Sequence, residues 1–251
     1  MILKTLIEYL LQENSEYSGI TIPESEQEQF QFYRSLVNIR PAMPVSPDYL
    51  DAENKFLKDL TVKKGITDIA DLQPVEDNIY LWQGDITTLK CGAIVNAGNS
   101  GLTGCYQPCH NCIDNCIHTF AGVKLRLECA EIMRKQGHDE PTGQAKITSA
   151  YNLPCDYVIH TVGPIVHYRL TDKHCELLQN CYQSCLETAV KNNIDSIAFC
   201  CISTGVFGFP KQEASEIAVK TVREFIKNNN IKVIFNVFGD DDYEIYQRLF
   251  S

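Results

Sequence analysis

Four cysteines fall within twelve residues, Cys105, Cys109, Cys112 and Cys116, with His110 among them and His118 two residues beyond. Thiolate sulfur and imidazole nitrogen together suit zinc. Spacing alone leaves two ligand sets open. Cys109, Cys112, Cys116 and His118 would complete a closed structural site. Cys105, His110 and Cys112 would supply three ligands and keep a fourth position open, as catalytic zinc requires. A helix starting near residue 112 weighs against the closed set, because Cys116 and His118 sit two positions apart on it and cannot easily face one ion. An iron–sulfur cluster is disfavoured because the one Cys-x2-Cys, Cys109 to Cys112, is not repeated. Free thiols at a helix start are the plain alternative.

Three further segments could hold a ligand. Gly84-Asp85-Ile86-Thr87, Asn96 to Cys112, and Ser203-Thr204-Gly205-Val206-Phe207-Gly208 each follow a short apolar run. In the last, Gly205 and Gly208 allow close backbone approach, successive N–H groups could cradle a diphosphate, and Ser203 and Thr204 add hydroxyls. An ordinary strand-to-helix connection would read the same way. There is no Walker lysine and no GxGxxG, so P-loop and Rossmann readings are poor. Asn96 and Asn99 could hold a sugar hydroxyl or simply form a turn. Asp85 could accept from an amino group or cap a helix, and physics alone favours the cap. His118 and His160 read as core histidines with satisfied rings. Cys181, Cys185, Cys200 and Cys201 read as buried small hydrophobes.

These loops need elements to position them. Residues 78–83, 92–97, about 145–151, 157–162, 196–202 and 231–238 read as strands. Residues 112–135, 175–191, 211–228 and 241–250 read as helices. Strands alternating with helices imply βαβ crossovers and a mainly parallel sheet with helices on both faces. Ligands of such sheets bind beyond the carboxyl ends of the strands. Residues 1–75 differ, with Leu3, Leu6, Ile7, Leu10 and Leu11 on one helical stripe, a second helix over 25–38, and Ser46-Pro47 opening a third. The expected division is therefore a helical extension over 1–75 and an α/β unit over 76–251.

Composition narrows the partners. The chain has 251 residues, 44% of them hydrophobic, enough for a sizeable core. Its net charge of −10 argues against non-specific nucleic-acid binding, which runs on surplus Lys and Arg. No apolar run approaches a membrane span, and residues 1–17 read as an amphipathic helix, not a signal peptide. A cytoplasmic location is the expectation, and a reducing cytoplasm would keep most of the twelve cysteines free.

Together the motifs resemble the macrodomain, an ADP-ribose-binding α/β/α module. The resemblance rests on QGDITTLKCGAIVNAGNSGL (83–102), IDNCIHTFAG (113–122), TGQAKITSAYNLPCDYVIHTVGP (142–164) and ISTGVFGFP (202–210), and runs from about residue 78 to the end. Where ordinary macrodomains carry a short glycine run, this chain has GCYQPCHNC (104–112). That insertion and the helical extension are similar to the zinc-dependent macrodomain protein-ADP-ribose hydrolases of microbes. The fold so implied is a three-layer α/β/α macrodomain with a mixed, mainly parallel sheet.

The resemblance implies one zinc ion per chain on Cys105, His110 and Cys112, with Cys109 no ligand and Cys116 packing. Asp85 would accept from the adenine amino group, with the Ile86 N–H nearby. Ser203, Thr204, Gly205, Val206 and Phe207 would hold the diphosphate. Cys112, Ile113, Asp114 and Asn115 would present a helix N-terminus to the ligand. Asn99 would contact the distal ribose, and Asn99 and Asp114 would be the catalytic pair. The implied activity is hydrolytic removal of ADP-ribose from mono-ADP-ribosylated protein. The implied partners extend to a sirtuin-type ADP-ribosyltransferase system and a lipoylated carrier protein. A non-catalytic ADP-ribose reader and a hydrolase of small metabolites such as O-acetyl-ADP-ribose are the alternatives.

Overall fold

The computed structural model describes residues 2–251 and begins with three helices, α1 (Ile2–Gln12), α2 (Glu26–Ile39) and α3 (Pro47–Lys64). The starts of α2 and α3 have local causes. The Ser25 side chain caps α2 by accepting from Glu28 N, and Ser46 caps α3 from Tyr49 N with Pro47 in the first helical position. Gly65, at φ 90°, ends α3 where a Cβ would be strained.

The remaining elements are β1 (Thr67–Asp68), β2 (Pro74–Glu76), β3 (Ile79–Gln83), β4 (Leu89–Lys90), β5 (Ala93–Gly98), α4 (Ile113–Ala121) and α5 (Val123–Gln136). After them come β6 (Ala145–Ser149), β7 (Tyr157–Val162), α6 (Asp172–Lys191), β8 (Ser196–Phe199), α7 (Lys211–Ile226), β9 (Lys232–Val237) and α8 (Asp240–Leu249). Seven strands form one sheet in the order β2-β3-β9-β8-β5-β7-β6. The five inner strands run parallel, and β2 and β6 pair antiparallel at the two edges. The sheet is thus mixed and mainly parallel. Pro74 lies in an edge strand, where its missing N–H costs no ladder bond. The 75/76 division drawn from sequence falls inside that strand.

β5 and β8 are buried almost throughout, because helices cover both faces of the sheet. Their continuous apolar runs follow from that double burial. The parallel register sets Asn96 of β5 beside His160 of β7. All five parallel strands release their loops at one edge, which brings residues 84–88, 99–112 and 203–208 to the same side.

One element differs from expectation. Residues 112–135 do not form a single helix, because the chain breaks between α4 and α5 at Gly122, whose φ is 90°. A Cβ there would lie 2.7 Å from Glu53 Oε2 and 2.9 Å from Asn152 Nδ2. The break admits the Glu53 carboxylate to the N-terminus of α5, where it accepts from Val123 N at 3.0 Å. Tyr33 and Tyr49 donate to its other oxygen at 3.0 and 3.2 Å. A residue of the extension therefore caps a helix of the α/β unit. The extension has its own apolar cluster around Leu6, Ile7, Tyr33 and Leu57, and Phe30 packs against both that cluster and the core around the sheet. Among the described residues, no helix is long and apolar enough to cross a membrane.

Candidate functional site

β5 ends at Gly98, and the chain then takes fourteen residues, 99–112, to reach α4. Within that loop the ligand atoms of Cys105, His110 and Cys112 all lie within 4.8 Å of one another. Cys105 Sγ stands 3.6 Å from His110 Nδ1. A sulfur and a nitrogen bound tetrahedrally to one zinc ion at ordinary bond lengths lie about 3.6 Å apart, so the pair already has the spacing of two ligands. Burial pushes the Cys112 thiol up to about 12, against the pull of the Asn115 N–H, and the Cys105 thiol beside it adds to the rise. Burial thus disfavours a Cys112 thiolate, and a cation bound beside it would favour one.

The closed ligand set is not brought together. Cys109 adopts a φ of 54°, its N–H donates to Asn38 Oδ1 at 2.9 Å, and its thiol turns to Gln31 O at 3.2 Å. Cys116 meets Arg34 Nη2 at 3.6 Å. His118 is buried beneath the loop, with its ring against the position a Gly104 Cβ would take. Neither of its ring nitrogens makes a well-formed hydrogen bond, which departs from the satisfied ring expected of it.

Below the loop lies Asp114, in the first turn of α4 and 4% exposed. Asn96 Nδ2 donates to its Oδ1 at 2.8 Å, and Asn99 Nδ2 stands 3.4 Å from its Oδ2. His118 Nε2 lies 3.6 Å from Oδ1. Burial pushes the Asp114 carboxyl up to about 6, while the Asn96 amide and the Arg126 charge pull it back. Asn99 also donates to Gly104 O at 3.1 Å, so one amide joins the carboxylate to the base of the cysteine loop.

His160 completes the buried layer. Asn96 Nδ2 donates to its Nδ1 at 3.1 Å, which leaves the proton on Nε2, facing Thr148 Oγ1 at 2.9 Å. It is the satisfied core histidine the sequence suggested, and burial lowers it to about 3. His118, Cys129 and His160 also gather their ligand atoms within 4.8 Å, but His160 has no free lone pair to give a metal.

The helix N-terminus contributes backbone. Among the described residues, the N–H groups of Ile113 and Asp114 have no intramolecular acceptor. The Asn115 side chain is turned inward, donating to Cys105 O at 3.3 Å and to Gln107 O at 2.9 Å. After β8, the N–H groups of Gly205, Val206 and Phe207 likewise have no acceptor, and Ser203 holds a φ of 66° to present them. The Thr204 hydroxyl is spent on Cys201 O at 3.0 Å, and Ser203 Oγ is buried against Gly163. This loop therefore offers backbone donors, not hydroxyls.

After β3, Asp85 caps its own turn by accepting from Thr87 N at 3.0 Å and Thr87 Oγ1 at 2.6 Å. Its second carboxylate oxygen pairs with Lys64 of α3, whose ammonium also covers the Phe120 ring. Burial would raise Asp85, but the Lys64 ammonium and the Thr87 bonds outweigh it and hold the carboxyl below the usual range. A carboxylate held low contributes stability above its ordinary titration range and loses it as pH falls through the lower folded value. Lys64→Met is therefore expected to lower stability at neutral pH and to change it little in strong acid. Urea midpoints measured at both extremes check this.

Sequence reasoning missed Arg34, Asn38 and Lys64. Arg34 and Asn38 sit four positions apart beside the apolar stripe of α2, and that polar pair on a buried face was the available signal.

Comparison with known proteins places the fold in a family. A family model described as the Macro domain matches residues 95–218. A protein from Treponema medium named protein-ADP-ribose hydrolase is 57% identical over 252 residues, covering 98% of this chain and 97% of its own. One of the same name from Staphylococcus aureus strain MSSA476 is 50% identical, covering 99% and 96%. Among solved structures, the Trypanosoma brucei macrodomain in complex with ADP-ribose superposes with a TM-score of 0.67 at 30% identity, over 91% of this chain and 97% of that one. Family match, whole-length identity and fold agree: the chain belongs to the macrodomain family.

Proposed function

We propose that the protein is a hydrolase that removes ADP-ribose from mono-ADP-ribosylated proteins, with a zinc ion held by Cys105, His110 and Cys112. The hydrolase names of relatives that match nearly the whole chain support the reaction. The observation that carries the zinc is the cluster of three ligand atoms within 4.8 Å, with the fourth position not filled by Cys109 or Cys116. When bound, a zinc ion with three protein ligands supplies Lewis acidity at its open position.

The chain's own groups divide the remaining work. Gly205, Val206 and Phe207 N–H bind the diphosphate, aided by Ile113 and Asp114 N–H at the α4 N-terminus. Asp85 and the Ile86 N–H take the adenine edge, Asp85 sharing its carboxylate with Lys64. Asn99 orients the distal ribose. Asp114 Oδ2, the less engaged of its carboxylate oxygens, is placed to hold or take a proton there. Asn96 fixes the other oxygen and so the carboxylate plane. The sirtuin-type transferase and lipoylated carrier implied by the resemblance would be the source and bearer of the modification.

The test is incubation of the purified protein with a mono-ADP-ribosylated protein, following free ADP-ribose. Release is expected with the native protein and is expected to fall at least a hundredfold in Asn99→Ala with its zinc retained. Binding without any release would make it a reader. Release only from O-acetyl-ADP-ribose would make it a metabolite hydrolase.

A further inference from the structure

We propose that α2 of the extension is the frame of the cysteine loop: Arg34 and Asn38 hold residues 105–112 in the shape that gathers Cys105, His110 and Cys112, and so set how tightly the metal is kept. The proposal rests on the reading that this trio binds zinc.

Arg34 is 8% exposed and reaches the loop from more than seventy residues away in sequence. Its Nη2 donates to His110 O at 2.7 Å, the backbone of one ligand residue. The same nitrogen donates to Asn115 Oδ1 at 3.0 Å, and Nη1 donates to Asn111 Oδ1 at 3.2 Å. Asn115 in turn donates to Cys105 O and Gln107 O, and its N–H points at Cys112 Sγ at 3.4 Å. One guanidinium thus fixes the residues on either side of the proposed ligands. A planar fork with five donors can do this, and a lysine cannot.

Asn38 supplies the second point. Its Oδ1 accepts from Cys109 N at 2.9 Å, and its Nδ2 donates to Thr119 Oγ1 at 2.9 Å, so it joins the loop to α4. That bond fixes the left-handed turn at Cys109, which turns its thiol away and carries the chain back to His110. Arg126 of α5 locks the frame from behind. Its Nη1 donates to the carbonyls of Val37, Asn38 and Arg40 at the end of α2, and its guanidinium lies 4.5 Å from the Tyr106 ring.

None of these groups is a proposed metal ligand, so their contribution is positional. Partners that orient a ligand's backbone or ring commonly alter metal affinity 10–100-fold, roughly. The experiment measures zinc per chain and the rate of zinc transfer to a colorimetric chelator for the whole 251-residue chain. The native protein is expected to hold close to one zinc and release it slowly. Arg34→Met and Asn38→Ala are expected to release it roughly tenfold faster or more, with Arg34→Lys little better than Arg34→Met. Asn111→Ala, which removes one accepting arm without emptying the interior, serves if the buried variants fail to fold. Its release is expected to accelerate severalfold. Val222→Ala opens the sheet core under α7, which makes none of these contacts, and should leave the rate unchanged. With cobalt(II) in place of zinc, the visible spectrum should alter in Arg34→Met and not in Val222→Ala. A native protein that binds neither metal would overturn the zinc reading and this proposal together. A native protein that binds zinc, with Arg34→Met and Asn111→Ala releasing it within twofold of the native rate, would overturn the frame alone.

Discussion

Metal-free protein is expected to keep ADP-ribose and lose turnover. The proposed adenine and diphosphate donors come mainly from the loops after β3 and β8, neither of which contains a ligand of the trio; only the Ile113 and Asp114 N–H groups adjoin one, Cys112. The loop after β5 is itself held by protein–protein bonds from Arg34, Asn38, Asn99 and Asn115, which do not depend on an ion. ADP-ribose affinity should therefore change by no more than about an order of magnitude, or about 1.4 kcal/mol. Hydrolysis should fall by roughly a hundredfold or more, since a Lewis acid contributes several kcal/mol to transition-state stabilisation. Calorimetry and single-turnover assays on chelated protein, or on His110→Ala, check both halves. If binding, melting temperature and activity collapse together, the ion is structural. Undiminished hydrolysis by verified metal-free protein refutes the catalytic assignment.

Gly205→Glu is expected to abolish ADP-ribose binding while leaving the fold intact. A Cβ at Gly205 meets no atom within 4 Å, and its φ lies outside the left-handed region, so the substitution adds no steric or backbone strain. What it adds is a carboxylate beside the unsatisfied N–H groups of residues 205–207, where the diphosphate is proposed to bind. Like charges in so small a space should weaken binding at least a hundredfold, about 2.7 kcal/mol. Gly205→Ala should bind normally, and AMP should bind the native protein much more weakly than ADP-ribose. Because ligand binding raises the melting temperature by mass action, thermal shift reports all three. Equal affinity for AMP and ADP-ribose would remove the diphosphate from the argument.

The strand positions were legible because doubly buried strands write themselves as apolar runs, as in residues 93–95 and 197–199. Ser46-Pro47 and Gly65 announced α3 by local chemistry. The break at Gly122 was not legible, since its cause is Glu53, sixty-nine positions earlier in the chain. The same holds for the site. The types and spacing of Cys105, His110 and Cys112 suggested a trio, but nothing local excluded Cys109. Its exclusion comes from Asn38, on another helix. Asp85 showed both faces in the sequence, and the structure gives it the cap together with a cationic partner from α3.

The seam at Gly122 bears on how the molecule comes apart. Glu53 is an acid buried among two tyrosines and a helix end, raised from its ordinary pKa by burial against the pull of those bonds. Withdrawing the extension would carry Glu53 and its two tyrosines away together, leave α5 without its cap, and strip Phe30 from the core around the sheet. The boundary near residue 75 is thus a change of composition, not a hinge. Melting should occur as a single cooperative transition, and a protease acting on the native protein should find no early cut that frees the sheet from α1–α3.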